Sequence, residues 1–394
     1  MPDLLTPATE DDVAAIVADS AARRSPLAVA GGGTRAGLGR PTNAAATLST
    51  RGLSGVTLYE PAELVLSARA GTPLAEIEAL LAGKAQRLAF EPMDHRPLLG
   101  DGGEPTIGGV VAANVSGPRR IQAGAARDGL IGIRAVTGAG EIVKSGGRVM
   151  KNVTGYDLVK FLAGSYGTLA VLTEVSFKLS PTPERETTLV LSGLDDARAI
   201  AALSAALGSP FSVTGAAHRP AAGGVPAQSL IRLEGFADSV ADRANRLAAD
   251  LGRFGKAGQA SGAASQDLWR TVRDVTLLDA PPKAPVWRIS TKPSLAPALV
   301  ETVRRAFDCR VLYDWGGGLV WIAGGEGADA GAALIRGALG GKGHATLVRA
   351  APELRAAVDV FQPLAPPLLE LTRRLKQTFD PAGILNPGRV YAGL

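Results

Sequence analysis

Three consecutive glycines, Gly31-Gly32-Gly33, stand between the apolar run Pro26–Ala30 and the pair Thr34-Arg35. With no side chains in the way, backbone N–H groups in a tight turn form a concave anion site, and Arg35 adds a positive charge beside it. Each N–H donated to a charged oxygen contributes roughly 1.5–3 kcal/mol. A diphosphate is the natural guest. A second small-residue stretch runs from Thr106 through Gly108, Gly109, Ala112 and Ala113 to Gly117. Its glycine pair allows close backbone approach, and Thr106, Asn114 and Ser116 offer neutral hydrogen bonds. Its alanine-rich centre suits a short helix lying close to something flat.

Gly31, Gly33 and Ala36 match the G-x-G-x-x-A form of the dinucleotide fingerprint. That fingerprint also requires a helix after the loop and an acidic residue about 20 positions on. Gly37, Gly39 and Pro41 follow instead, and they cannot open a long helix. Leu53, which stands where the acid belongs, cannot hold a ribose hydroxyl. The diphosphate is therefore not expected to be that of a nicotinamide dinucleotide in a Rossmann fold.

The elements that would position these loops follow from periodicity and caps. Thr9 with Glu10, Asp11 and Asp12 predicts a helix start, and Val13, Ile16 and Val17 give its apolar stripe. Pro26–Ala30 reads as the strand feeding the glycine loop. Thr72 as a cap with Pro73 at the first position predicts a helix burying Leu74, Ile77 and Leu81. Leu169–Leu179 is a long strand closed by Pro181 and Pro183, the clearest domain boundary. Beyond it the rhythm changes. From Trp287 to Val348 the order is β-α-β-β-α-β, a split βαβ layer of helices on an antiparallel sheet. Pro363, Pro366 and Pro367 lead to a helix over 368–378 and a proline-locked tail.

Composition narrows the chemistry. The 394 residues are 46% hydrophobic and 20% charged, the balance of a packed globular protein of two or three domains. Lys+Arg 42 against Asp+Glu 37 leaves +5, with no basic run, so nucleic acid is not an expected partner. The lone Cys309 excludes an intramolecular disulfide and a Cys₄ iron–sulfur cluster. No signal segment or bilayer-length apolar run is evident, which makes the cytoplasm the expected location. The three histidines are isolated and give no metal site. His95 follows Pro92-Met93-Asp94, His218 reads as a surface-loop residue and His344 as part of a Gly/Lys turn. Arg288 is the candidate carboxylate anchor, with a surface or structural ion pair as the alternative. Lys151, Tyr156 and Asp157 are explained equally by capping and by chemistry. Trp287, Trp315 and Trp321 read as core or interface rather than as a stacking platform.

Taken together, four stretches resemble the FAD-binding domain of the vanillyl-alcohol oxidase / p-cresol methylhydroxylase (PCMH) superfamily. They are AGGGTR at 30–35, TIGGVVAANVSG at 106–117, KNVTGYDLVKFLAGSYGTLAVLTEVSFKLSP at 151–181 and FDPAGILNPGR at 379–389. Within the superfamily, GGRVMKNVTGYDLVK and the DWGGG at 314–318 are similar to the FAD-binding subunits of glycolate oxidases. The resemblance implies an α+β fold. It comprises a two-subdomain PCMH-type FAD-binding domain at 1–182 (about 1–54 and 55–182), an antiparallel-sheet cap of ferredoxin-like character at 183–350, and a segment at 351–394 returning to the first domain. It implies FAD bound through Ala30, Gly31, Gly32, Gly33, Thr34, Arg35, Pro92, Thr106, Gly108, Gly109, Ala113, Asn114, Ser116, Gly117, Gly167, Thr168, Val171 and Asn386. Thr34 stands where some members attach flavin through histidine, so the cofactor is expected to be non-covalent.

The superfamily's 2-hydroxy-acid dehydrogenases carry an H-x-G-x-G-N-x-H stretch for metal and base. Asp314–Trp321 here has no histidine, and no candidate base is evident. The resemblance therefore implies a flavin subunit of a complex with a homologous flavin subunit and an iron–sulfur subunit, acting on a small 2-hydroxy acid, with membrane contact at most peripheral. A self-sufficient FAD-dependent hydroxy-acid or alcohol oxidoreductase and a flavin-free scaffold are the alternatives.

Overall fold

The computed structural model describes residues 3–147, 157–325 and 327–394. Lys151 and Tyr156 lie outside them, as does much of the stretch shared with the glycolate oxidase subunits. The chain divides into two compact units: Met1–Ser116, Gly124–Thr182 and Pro363–Leu394 form one, and Gly117–Ala123 with Pro183–Gln362 form the other. Both combine helices with sheets, the α+β class read from the sequence.

In the first unit, Thr9 caps the helix Glu10–Ala22. Its hydroxyl accepts from the Asp12 N–H at 3.1 Å, and the Asp12 carboxylate accepts from the Thr9 N–H at 2.9 Å. Val13 and Val17 are its buried stripe. The strand Leu27–Ala30 pairs in parallel with Ala46–Ser49, which pairs in parallel with Asp3–Leu5. A five-stranded antiparallel sheet runs in the order Val56–Glu60, Val65–Arg69, Ala170–Lys178, Leu130–Thr137, Ile142–Gly146. The helix Leu74–Ala82 buries Leu74, Ile77 and Leu81 as expected. Thr72 is not its cap, however. The Thr72 hydroxyl donates to the Arg69 carbonyl at 2.7 Å and accepts from the Gly55 N–H at 3.0 Å, which fastens the preceding turn. Ile384 and Leu385 pack in one core with Val13, Val17, Leu27, Leu48, Val136 and Val171, so the C-terminal segment is part of this unit's interior.

The second unit is an eight-stranded sheet made of two β-α-β-β-α-β runs. The first comprises Arg185–Ser192, Asp196–Leu207, Gly215–Arg219, Gln228–Gly235, Ala237–Asp250 and Gly258–Ser261. The second comprises Val286–Thr291, Ala296–Ala306, Arg310–Asp314, Leu319–Ala323, Ala332–Leu339 and Gly343–Arg349. In both, the last strand lies beside the first and the third separates the first from the second; the runs join where His218 faces Tyr313. Helix residues such as Leu203, Val240, Val300 and Ile335 pack on one sheet face over Leu189, Ile231, Trp287 and Ile289.

Two histidine expectations fail here. His218 is fully buried mid-strand rather than in a surface loop, because its strand lies inside the sheet and Ser229 partners its Nδ1 at 2.9 Å. His344 belongs to the strand Gly343–Arg349 rather than to a turn, since pairing with Val286–Thr291 extends the backbone through it. Among the described residues no helix is long and apolar enough to cross a membrane.

Candidate functional site

The glycine loop forms a wall of a cavity of about 260 Å³ in the first unit. At two positions its surroundings leave no room for a side chain: a Cβ on Gly31 would stand 2.3 Å from Thr106 Oγ1, and one on Gly32 would stand 1.6 Å from the Glu104 carbonyl oxygen. Gly33 turns the chain at φ +84°, a conformation that suits glycine, with open space where a Cβ would project. Another wall is the short helix Ile107–Ala112, whose Thr106 cap accepts from the Gly109 N–H at 3.4 Å. Gly108 lets this helix press on Ala70, whose carbonyl oxygen would be 2.7 Å from an added Cβ.

Arg35 brings charge to this wall. Its Nη2 donates to the Met93 carbonyl at 3.3 Å, while its buried Nε has no hydrogen-bond partner. Burial holds the guanidinium down to about 10, still charged at neutral pH. Asp94, which pulls electrostatically on Arg35, is itself held by Arg96 through Nε at 3.0 Å and Nη2 at 2.8 Å. A bare backbone cradle beside a guanidinium nitrogen with an unused donor fits the diphosphate of a dinucleotide.

Ala30, Gly31, Gly32, Gly33, Thr34, Arg35, Thr106, Gly108, Gly109, Ala113 and Gly167 converge on the cavity. Other expected residues are engaged elsewhere. Asn114 Oδ1 accepts from the Arg127 N–H at 3.1 Å, and Ser116 Oγ accepts from the Ala126 N–H at 3.0 Å. Gly117 falls in the second unit, its carbonyl accepting from Trp315 Nε1 at 3.1 Å. Thr168 Oγ1 donates to the Ser165 carbonyl at 2.7 Å, Val171 is core, and Pro92 is not part of the wall. Arg389 does line the cavity and was not expected there. Its place in the tail motif was visible in sequence; its direction was not.

Asn386 works through backbone. Its Oδ1 accepts from the Val29 N–H at 2.9 Å, and its Nδ2 donates to the Tyr166 and Gly167 carbonyls at 2.8 and 3.3 Å. The amide thus clasps the strand before the glycine loop to the turn carrying Gly167. Lys376 supports it: Nζ donates to the Thr168 carbonyl at 2.7 Å, the Leu385 carbonyl at 2.8 Å and the Asp380 carboxylate at 2.7 Å. Asp380 in turn accepts from the Ile384 and Leu385 N–H groups. Burial pushes the Lys376 amine below its usual range, opposed by Asp380, and its three donors are all used.

In the second unit Arg288 lies on the sheet face opposite the Trp287 and Ile289 core. Its guanidinium stands 5.1 Å from the Trp315 ring and 6.0 Å from Trp321, and Arg120 stands 4.5 Å from the same Trp315 ring. Trp315 and Trp321, read from the sequence as core or interface rather than as a stacking platform, are buried, and they also carry cations. His344 faces Ser290, two residues from Arg288 on the same side of the sheet. Burial, then Arg288 and Arg120, push its imidazole below the usual histidine range. His95, nearly buried, precedes the short helix Arg96–Leu99 and is not part of the cavity wall. Asp157 caps the helix Leu158–Leu162, accepting from the Lys160 N–H at 3.1 Å.

Residues 3–146 match the model of an FAD binding domain, and residues 362–390 match that of the C-terminal domain of FAD linked oxidases. The chain is 37% identical to glycolate oxidase subunit GlcE of Escherichia coli over 371 residues, 94% of either chain. It is 27% identical to an uncharacterized FAD-linked oxidoreductase of Mycobacterium tuberculosis, over 98% of this chain and 90% of that one. In fold it resembles the 4-ethylphenol oxidase of Gulosibacter chungangensis, with TM-score 0.73 and 15% identity over 99% of this chain and 89% of that one. The cradle at Gly31–Arg35 and the Asn386 clasp lie within the two matched segments. On the strength of an alignment with GlcE that runs nearly end to end, the chain belongs to the GlcE family of FAD-linked oxidoreductases.

Proposed function

We propose that this chain is the FAD-binding subunit of a glycolate-oxidising complex, holding FAD non-covalently in the glycine-loop cavity. The observation that carries the reading is the cradle itself, in which Gly31 and Gly32 admit no side chain and Arg35 offers an unused donor. Gly31–Thr34 and Arg35 would hold the diphosphate, while Thr106, Gly108, Gly109, Ala113 and Gly167 would line the rest of the bound segment. When bound, FAD supplies two-electron redox chemistry to oxidise a CH–OH group. By the family resemblance Thr34 stands where some members carry the histidine that attaches flavin, and no cysteine or histidine lines the cavity among the described residues. A homologous flavin subunit and an iron–sulfur subunit complete the assembly. The site is cytoplasmic, with membrane contact only through partners.

A second reading, a self-sufficient hydroxy-acid oxidoreductase, draws support from Arg288 and Arg120 meeting over one indole. Two guanidiniums on a flat apolar platform suit a small carboxylate. The experiment is flavin bleaching by glycolate without oxygen. The purified chain should carry FAD that acid releases into solution, and bleaching should require the partner subunits. Rapid bleaching by the chain alone favours the second reading, with Arg288→Met then raising KM for glycolate about tenfold. A colourless chain that takes up no FAD would sink both readings.

A further inference from the structure

The second unit contains a groove of about 1350 Å³, none of whose residues lines the glycine-loop cavity. It is walled by the helices Asp196–Leu207 and Ala296–Ala306, the start of the strand Arg310–Asp314 and the connection 219–227. Leu194, Ile200, Leu277 and Val311 give it an apolar surface.

The charges on this wall divide into those with a partner of opposite sign and those without. Asp196 is held by Arg304 and Tyr313, Glu301 by Arg305, and Asp195 accepts from the Arg198 N–H as a helix cap. Arg219 donates to neutral oxygens, the Pro226 carbonyl at 2.7 Å and Gln228 Oε1 at 3.4 Å. Arg310 is half-buried at the start of its strand, and its guanidinium has no hydrogen-bond or ion-pair partner among the described residues. A Cβ on Gly223 would stand 3.9 Å from both terminal nitrogens of Arg310, so the guanidinium lies near a hairpin tip that carries no side chain. Ala222 and Val225 close that tip with reciprocal N–H to carbonyl bonds at 3.1 and 2.9 Å. Asp279, the other carboxylate on the wall, is exposed, where water carries its charge.

We infer that this groove binds an amphipathic organic acid, its carboxylate on Arg310 and its apolar body along Leu194, Ile200, Leu277 and Val311. A half-buried guanidinium without an acceptor bears a desolvation cost that a carboxylate relieves, and its planar fork matches that group with two parallel bonds. Arg219 adds a second positive charge that only neutral oxygens meet. A small inorganic anion satisfies the arginine but leaves the apolar wall in water. A neutral apolar molecule does the reverse. The acid fills both requirements, and its binding does not depend on flavin.

The test is calorimetric titration of the full-length protein with octanoate, 1-octanol and acetate. Octanoate should bind at least about tenfold more tightly than octanol, which lacks the charge, and than acetate, which lacks the body. Arg310→Gln should lose about tenfold in octanoate affinity with octanol unchanged, and Arg310→Lys should retain most of that affinity. Ala298→Trp, at an exposed position on the groove, should block octanoate with little change in Tm. An unaltered protein that binds octanoate no better than octanol or acetate overturns the inference, as does an Arg310→Gln protein that keeps full octanoate affinity. If the Gln variant fails to fold, undiminished octanoate binding by Ala298→Trp overturns it instead.

Discussion

At the scale of residues, the three glycines of the loop are not equivalent. A Cβ at Gly32 would fall 1.6 Å from the Glu104 carbonyl oxygen, a backbone atom that can move only with its whole turn. Gly32→Ala should therefore distort the cradle and weaken FAD binding by more than tenfold, read by flavin content and titration. Gly33 meets nothing within 4 Å, so Gly33→Ala faces only its positive φ. The cost there should be about 1 kcal/mol, seen as a small fall in Tm with flavin content largely kept. The contrast was hidden in the sequence, where the three glycines look alike.

At the scale of elements, two carboxylates, the buried Asp380 and the half-buried Asp196, organise their surroundings. Asp380 and Lys376 hold the tail against the Thr168 turn. Lys376→Met leaves a buried charge without its cation, and unfolding in urea should show a loss of about 3–5 kcal/mol. Asp196 begins a helix in the second unit and accepts from the Tyr313 hydroxyl at 2.6 Å and Arg304 at 2.8 Å. Burial opposes its charge, but the nearby His218, with Nε2 3.6 Å away, the Tyr313 hydrogen bond and the field of Arg304 outweigh it and hold the carboxyl below 3.8. Because the folded value lies below the unfolded one, the unfolded chain takes up the proton first as pH falls. The stabilisation is fully present above the unfolded value and is lost as pH drops through the folded one. Urea unfolding at pH 7 and pH 3 should show this decline, and Asp196→Asn should flatten it while costing about 2–3 kcal/mol at pH 7.

At the scale of the whole molecule, the first unit is assembled from three separated stretches of chain. Leu385 bridges to Leu27 and packs in the core, Asn386 clasps Val29 to the Tyr166 turn, and Arg389 reaches the cavity. A chain ending at Gln362 loses all three at once. We expect it to purify without flavin and to unfold at a Tm lower by more than 10 °C, measured by calorimetry beside the full-length protein. The second unit likewise recruits Gly117–Ala123, where Arg119 Nη1 donates to both Glu234 carboxylate oxygens at 2.9 Å, far from any neighbour in sequence.

The sequence by itself determined what is local. The glycine loop after an apolar strand, the Thr9 cap, the Leu74–Ile77–Leu81 face and the second β-α-β-β-α-β run are set by backbone freedom, cap hydrogen bonding and periodicity within a few residues. The motifs together also carried the FAD-linked family. Tertiary structure decided what depends on distant partners. It put His218 in a sheet interior, turned Asn114 and Ser116 to nearby loops, made Asn386 a clasp and brought Arg389 beside Arg35. It also completed the first β-α-β-β-α-β run, whose strands Gly215–Arg219 and Gly258–Ser261 are too short and small-residued to announce themselves. In each case the deciding interaction joins residues that only the folded chain makes neighbours. A side chain's type limits the bonds it can make; which of them it makes depends on the backbone that folding brings beside it.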